Sequence, residues 1–122
     1  MIGYMTIGTN DLARGSAFYD ALLEPLGVKR VSPNERINLW TAKGSAMLGL
    51  AKPFDGKAAS AGNGAMVALN VGTKEAVDKM HAHAVELGGA DEGAPGARGE
   101  TFYGGYFRDL DGNKLVAYCI TK

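Results

Sequence analysis

The sequence predicts an α+β fold made of two copies of one β-α-β-β-β module. Three observations predict it. Two segments repeat the same pattern at a constant offset of 62 residues. Each carries apolar positions at helical period after a short β-type run. Each half then closes with apolar runs split by a turn signal.

The repeat is read first. Residues 3–27 are GYMTIGTNDLARGSAFYDALLEPLG and residues 65–89 are AMVALNVGTKEAVDKMHAHAVELGG. Both open on a strand-like run, Tyr4 to Ile7 and Met66 to Val71. Both continue with a helix-capping signal, Asn10-Asp11 and Thr73, whose side chains can take up free N–H groups of a first turn. Leu12, Ala17, Phe18, Leu22 and Leu23 form the apolar stripe of the first helix. Val77, Met80, Ala84, Val85 and Leu87 form that of the second. Gly27 and Gly88-Gly89 are the stop signals.

Strands are expected at about Ile37–Thr41 and Ala46–Lys52, with a turn at Lys43-Gly44-Ser45. In the second half they fall at about Phe102–Arg108 and Lys114–Ile120, around Asp111-Gly112-Asn113. A weaker strand around Val28–Val31 follows the first helix. The whole reads as one domain over 1–122, with module one about 1–53, a small, polar, glycine-rich linker about 54–64, and module two about 65–122. A second glycine-rich stretch, Gly88–Gly99, is expected to be a mobile loop of the kind that covers a site.

Composition narrows the function classes. Thirteen basic residues balance thirteen acidic ones, which gives no electrostatic case for nucleic acid or an anionic membrane. No apolar run approaches the roughly 20 residues that span a bilayer. The opening MIGYMTIGTND lacks a basic region and a continuous apolar core, so it is not read as a signal peptide. Cys119 is the single cysteine and sits in an apolar run, as a buried small hydrophobe would. A cytoplasmic address is expected. Cys119 has no histidine near it in sequence, and no G-x-S-x-G elbow, P-loop or G-x-G-x-x-G is present, so nucleophilic and nucleotide chemistry have little support.

Several segments also carry a family resemblance. The first strand followed by NDLARGSAFYDALLEPLG, the helix AVDKMHAHAVELGG and the closing YFRDLDGNKLVAY resemble the glyoxalase/bleomycin-resistance/extradiol dioxygenase (vicinal oxygen chelate) superfamily, in the right order over nearly the whole chain. The resemblance implies that the modules pair into a half-open mixed sheet or barrel with helices on the outer face. It also implies a divalent metal held by His and Glu residues, two from each module, at the first and last strands. Here those four corners fall on Tyr4, Leu48 (by setting Gly44 against Gly112), Met66 and Val116, none of which suits a divalent metal. No metal and no cofactor are therefore expected. His81 and His83 are two positions apart on the second helix and point in different directions, as surface or half-buried residues rather than ligands.

Strand alternation then assigns a cavity wall. Tyr4, Thr6, Leu48, Met66, Ala68, Val116 and Tyr118 are expected to line it, with Leu50 and Asn70 in the same parity. The register is open by one residue for Trp40, Tyr103 and Tyr106, which line the cavity or pack in the core. Arg98 and Arg108 either meet an anionic ligand or serve the surface. Three functions compete: metal-free binding of a small organic ligand; a lyase, isomerase, epimerase or dioxygenase of the resembled family, with its catalytic residues unidentified; and an interaction protein that keeps only the fold. A homodimer is expected, because such modules leave strand edges and apolar surface to cover.

Overall fold

The computed structural model describes Met1–Lys122. The chain divides into two compact units, Met1–Ala61 and Gly62–Lys122. Unit one runs β1 (Tyr4–Gly8), α1 (Leu12–Leu23), a short 3-10 turn (Glu24–Leu26), β2 (Lys29–Val31), β3 (Ile37–Thr41) and β4 (Met47–Ala51). Unit two runs β5 (Val67–Asn70), α2 (Lys74–Glu86), β6 (Ala90–Ala97), β7 (Phe102–Arg108) and β8 (Lys114–Ile120). The sheets have the same topology, β1-β4-β3-β2 and β5-β8-β7-β6. In each, the first strand runs parallel to the last and the others are antiparallel.

The helices start where side-chain chemistry starts them. Asp11 accepts a hydrogen bond from Arg14 N at 3.0 Å and Thr73 accepts one from Ala76 N at 3.1 Å. Asn10 does not cap α1; it clamps the backbone of Ala59, accepting from its N–H at 2.7 Å and donating to its carbonyl at 3.1 Å. Helix α2 ends where Gly89 N donates to Ala84 O at 2.8 Å. A β-carbon on Gly89 would lie 2.6 Å from Arg108 O and 2.8 Å from Ala84 O, so only glycine fits.

Each helix packs on one face of its own sheet. In unit one, Phe18, Tyr19, Leu22 and Leu23 are buried together with Trp40, Leu48 and Leu50. In unit two, Val77, Met80, His81 and Ala84 are buried with Phe107, Leu115, Ala117 and Cys119. The helix-facing aromatic contacts repeat as well. Tyr19 meets Trp40 with ring centroids 5.5 Å apart, and His81, 62 residues after Tyr19, meets Phe107 at 6.3 Å.

One element departs from the sequence reading. The stretch expected as a mobile loop over Gly88–Gly99 is mostly strand β6, paired with β7 through two register shifts, Asp91/Gly93 and Gly93/Gly96. Strand propensity misses it because four of its eight residues are Gly, Pro or Asp. Its pairing comes from β7 and from fixed side chains. His81 Nε2–H points at Asp91 Oδ1 (3.0 Å) and Tyr106 O (3.1 Å), and Arg108 pairs with Glu92 at 3.0 Å. The bend at Asp91 is held by Gly93 N donating to its carboxylate at 2.9 Å. That bond, and then His81, hold the Asp91 carboxyl below the usual range.

Candidate functional site

The faces turned away from the helices hold most of the expected wall residues. In unit one, β1–β4 pairing sets Tyr4 beside Met47 and Thr6 beside Gly49, opposite in parity to the helix-packed Leu48 and Leu50. In unit two, Ala68 pairs with Val116, Asn70 and Gly104 with Tyr118, and Tyr106 with Val116, which places all of them on one face. Phe102 shares it. Met66 precedes β5 and is 47% exposed.

Four residues expected at the wall lie on the other face: Leu48 and, in its parity, Leu50, with Trp40 and Tyr103. Leu48 pairs with Trp40 across β3–β4, and both point at α1. Trp40 packs on Tyr19, and its Nε1–H donates to Asp20 Oδ1 at 2.9 Å. The slip has a specific cause. Trp40↔Leu48 centres one hairpin on Gly44 and Phe107↔Leu115 centres the other on Asp111, so Gly44 matches Asp111, not Gly112. The residue in unit one that occupies the place of Val116 is therefore Gly49. Tyr103 also points at its helix: its hydroxyl donates to Asp78 Oδ1 at 2.7 Å, and that carboxylate holds the phenol above its usual range.

Phe102 was not singled out by the sequence, yet it supplies half of the main aromatic feature. Its ring stacks on Tyr118 with centroids 5.0 Å apart and planes within 9°. The two are diagonal neighbours, and the stack passes over Gly104, where a β-carbon would lie 2.8 Å from Phe102 Cε2. A Gly between two aromatic positions on one face was the available signal. On the same face the Arg98 guanidinium and the Lys114 ammonium each lie 5.5 Å from the Tyr106 ring centroid. Arg98 is held there by donating to Ala94 O at 2.8 Å. The face of unit two thus carries two stacked rings and a third, partly buried phenol ring with two cations beside it. Such a surface suits a flat organic molecule.

His81, Asp91 and Asp109 are used structurally. His81 is tied to Asp91 and Tyr106 O. Asp109 takes the N–H groups of Asp111 and Asn113, each at 2.9 Å, and closes the β7–β8 turn. No group of three or more His, Cys, Asp and Glu side chains converges in a way that could hold a metal ion. Cys119 is buried on the helix-facing side.

Two βαβββ units, each with its helix on one sheet face, define a glyoxalase-like α+β protein, and sequence and structural comparisons agree. The family model described as the glyoxalase/bleomycin resistance protein/dioxygenase superfamily matches residues 1–117. The chain belongs to that superfamily. A glyoxalase/bleomycin resistance protein from Albidiferax ferrireducens is 33% identical, with a TM-score of 0.90 and 98% of each chain covered. A hypothetical protein from S. aureus is 25% identical, with a TM-score of 0.78 over 98% of this chain and 92% of that one. A glyoxalase-related enzyme from Fulvimarina pelagi shares the fold at 22% identity and a TM-score of 0.78, over 98% of this chain and 87% of that one. No functionally curated protein matches the chain. No helix is long and apolar enough to cross a membrane.

Proposed function

We propose that this protein binds a small, flat organic ligand without a metal, on the sheet face of Phe102, Tyr106 and Tyr118. The observation that carries the reading is the ordered Phe102–Tyr118 stack on the same sheet face as Tyr106, whose ring has two cations beside it. Aromatic faces and fixed cations bind planar organic groups through stacking and charge, and need no metal to do so.

The donor set supports metal independence. The corner positions are Tyr4, Met66 and Val116, with Gly49 in the fourth place instead of Leu48. Not one carries an imidazole or a carboxylate, so the metal common to the resembled family does not fit these residues. The reading includes a homodimer in the cytoplasm. Its support is that β1 and β5 are sheet edges with exposed apolar side chains, Tyr4 at 59% and Met66 at 47% beside it.

The test begins with metal content. Untagged protein is offered Zn, Ni, Mn, Fe and Co, desalted, and assayed for metal per chain. Retention far below one ion per chain is expected, followed by binding of flat aromatic compounds that shifts the ring signals of Phe102 and Tyr118. Stoichiometric metal would return a metal-dependent lyase, isomerase or dioxygenase to first place.

A further inference from the structure

A cavity that shares no residue with that face lies wholly within unit one. It opens beyond the carboxyl ends of the parallel strands β1 and β4, where β1 passes into α1, the place where open α/β sheets commonly receive ligands. Its volume is about 430 Å³, and Asn10, Arg36, Lys52, Phe54 and Lys57 are among its walls. No carboxylate lines it.

The walls are built by the chain rather than left to solvent. Asn10 pins Ala59 through two hydrogen bonds. Gly56 N donates to Pro53 O at 3.1 Å, and Lys57 N donates to Asp55 Oδ1 at 2.9 Å, which engages the one acid of this loop. Asn34 Oδ1 accepts from the backbone N–H of Arg36 at 2.8 Å, and Arg36 Nη1 donates to Lys52 O at 2.9 Å. The guanidinium then lies 5.3 Å from the Phe54 ring centroid. Arg36, Lys52 and Lys57 take part in none of the three ion pairs of the molecule. Phe54 is 90% exposed, so its ring face is open to a ligand.

Three cations that make no ion pair, around a cavity of this size with no carboxylate in its wall, attract an anion. A fixed guanidinium offers paired N–H donors to a phosphate or carboxylate, and the ring of Phe54 offers a flat apolar surface next to it. We propose that this cavity is a binding site for a small organic anion that carries a flat ring and at least two negative charges. Arg36, Lys52 and Lys57 hold the charged end, and Phe54 takes the ring.

The experiment titrates the isotopically labelled full chain at low salt with phenyl phosphate, with phthalate, with inorganic phosphate and with benzyl alcohol, following backbone amides. Phenyl phosphate or phthalate is expected to move the amides of Phe54 to Ala58, and which of the two binds tighter separates a phosphate from a dicarboxylate ligand. Inorganic phosphate should bind more weakly at the same amides, and benzyl alcohol should leave them in place. Lys52→Met with Lys57→Met should weaken the anions about tenfold or more, since each lost charge-assisted contact is a large share of a weak affinity. Added salt should weaken them further. Phe54→Ala should weaken phenyl phosphate several-fold and leave inorganic phosphate unchanged. Both lysines are exposed, so their loss tests the site without disturbing the loop that Arg36 holds. The proposal is overturned if neither ring-bearing anion moves these amides at millimolar concentration, or if the lysine substitutions leave the affinity intact. Shifts confined to Phe102, Tyr106 and Tyr118 also overturn it, while supporting ligand binding on the unit-two face.

Discussion

Two adjacent glycines, Gly104 and Gly105, lie on opposite faces of β7, and substituting each by alanine has different consequences. At Gly105 a β-carbon would lie 3.0 Å from Pro95 Cγ and 3.2 Å from both Cβ and Cδ2 of His81. His81 cannot step aside, because its ring is held by Asp91 and Tyr106 O. Overpacking of this kind costs about 1–3 kcal/mol. The smaller backbone entropy of the unfolded alanine chain offsets roughly 0.5–1 kcal/mol. Gly105→Ala should therefore lose about 1–2 kcal/mol, which for a chain of this length lowers Tm by roughly 4–8 °C. At Gly104 the close atom is the far end of a ring, Phe102 Cε2 at 2.8 Å, with Val116 Cγ2 at 3.1 Å. The ring can swing away at the cost of its stack on Tyr118, about 0.5–1.5 kcal/mol, which the same entropy gain nearly cancels. Gly104→Ala should thus melt close to the parent while the Phe102 and Tyr118 ring signals move and flat ligands bind more weakly. Thermal melts and aromatic NMR read both variants. If Gly105→Ala melts like the parent, or Gly104→Ala leaves both ring signals in place, the assignment of faces along β7 is wrong.

Other predictions follow from single contacts. Asn38 is buried against α1, donating to Ser16 Oγ at 2.8 Å and accepting from Ser32 Oγ at 2.6 Å. Asn38→Ala should cost about 2–3 kcal/mol, with Ser16→Ala less costly in that background than alone, so additive urea midpoints would count against the bond. Asp20 is held below the usual carboxylate range by its hydrogen bonds from Arg30, against the opposing effect of burial, and then by Trp40. A depressed carboxyl contributes stability that is present above the unfolded value of about 3.9 and is lost as pH falls through the lower folded one. Trp40 is the single tryptophan, so its emission should change only below that pH in the parent and show no such step in Asp20→Asn. Gly89→Ala forces a β-carbon against two backbone oxygens that cannot rotate away. It should lose at least as much stability as Gly105→Ala, about 2–4 kcal/mol by chemical denaturation, and an unchanged midpoint would contradict the close approach at the end of α2.

Much of the molecule is determined by local sequence. Helical period with Asp11 and Thr73 as caps set both helices, because those bonds span three residues and need nothing distant. The β7–β8 hairpin and the shared sheet face of Ala68, Val116 and Tyr118 follow from alternation once Asp111-Gly112 marks the turn. Register was not local. One residue decides the face of every side chain in a strand, and the offset of Gly44 from its true partner position moved Leu48 to the helix side. Trp40 and Tyr103 were likewise assigned only by what waits across the packing interface, Tyr19 and Asp20 for one and Asp78 for the other. Strand β6 has no propensity of its own to announce it. It exists because β7 presents an unpaired edge and because His81, Asp91, Glu92 and Arg108, distant in sequence, hold the two together. The sequence by itself determined both helices and every strand except β6, because their periodicity and caps are local. Only the tertiary structure decided which rings stack and which cations stand beside them, since those contacts join residues that no local pattern relates.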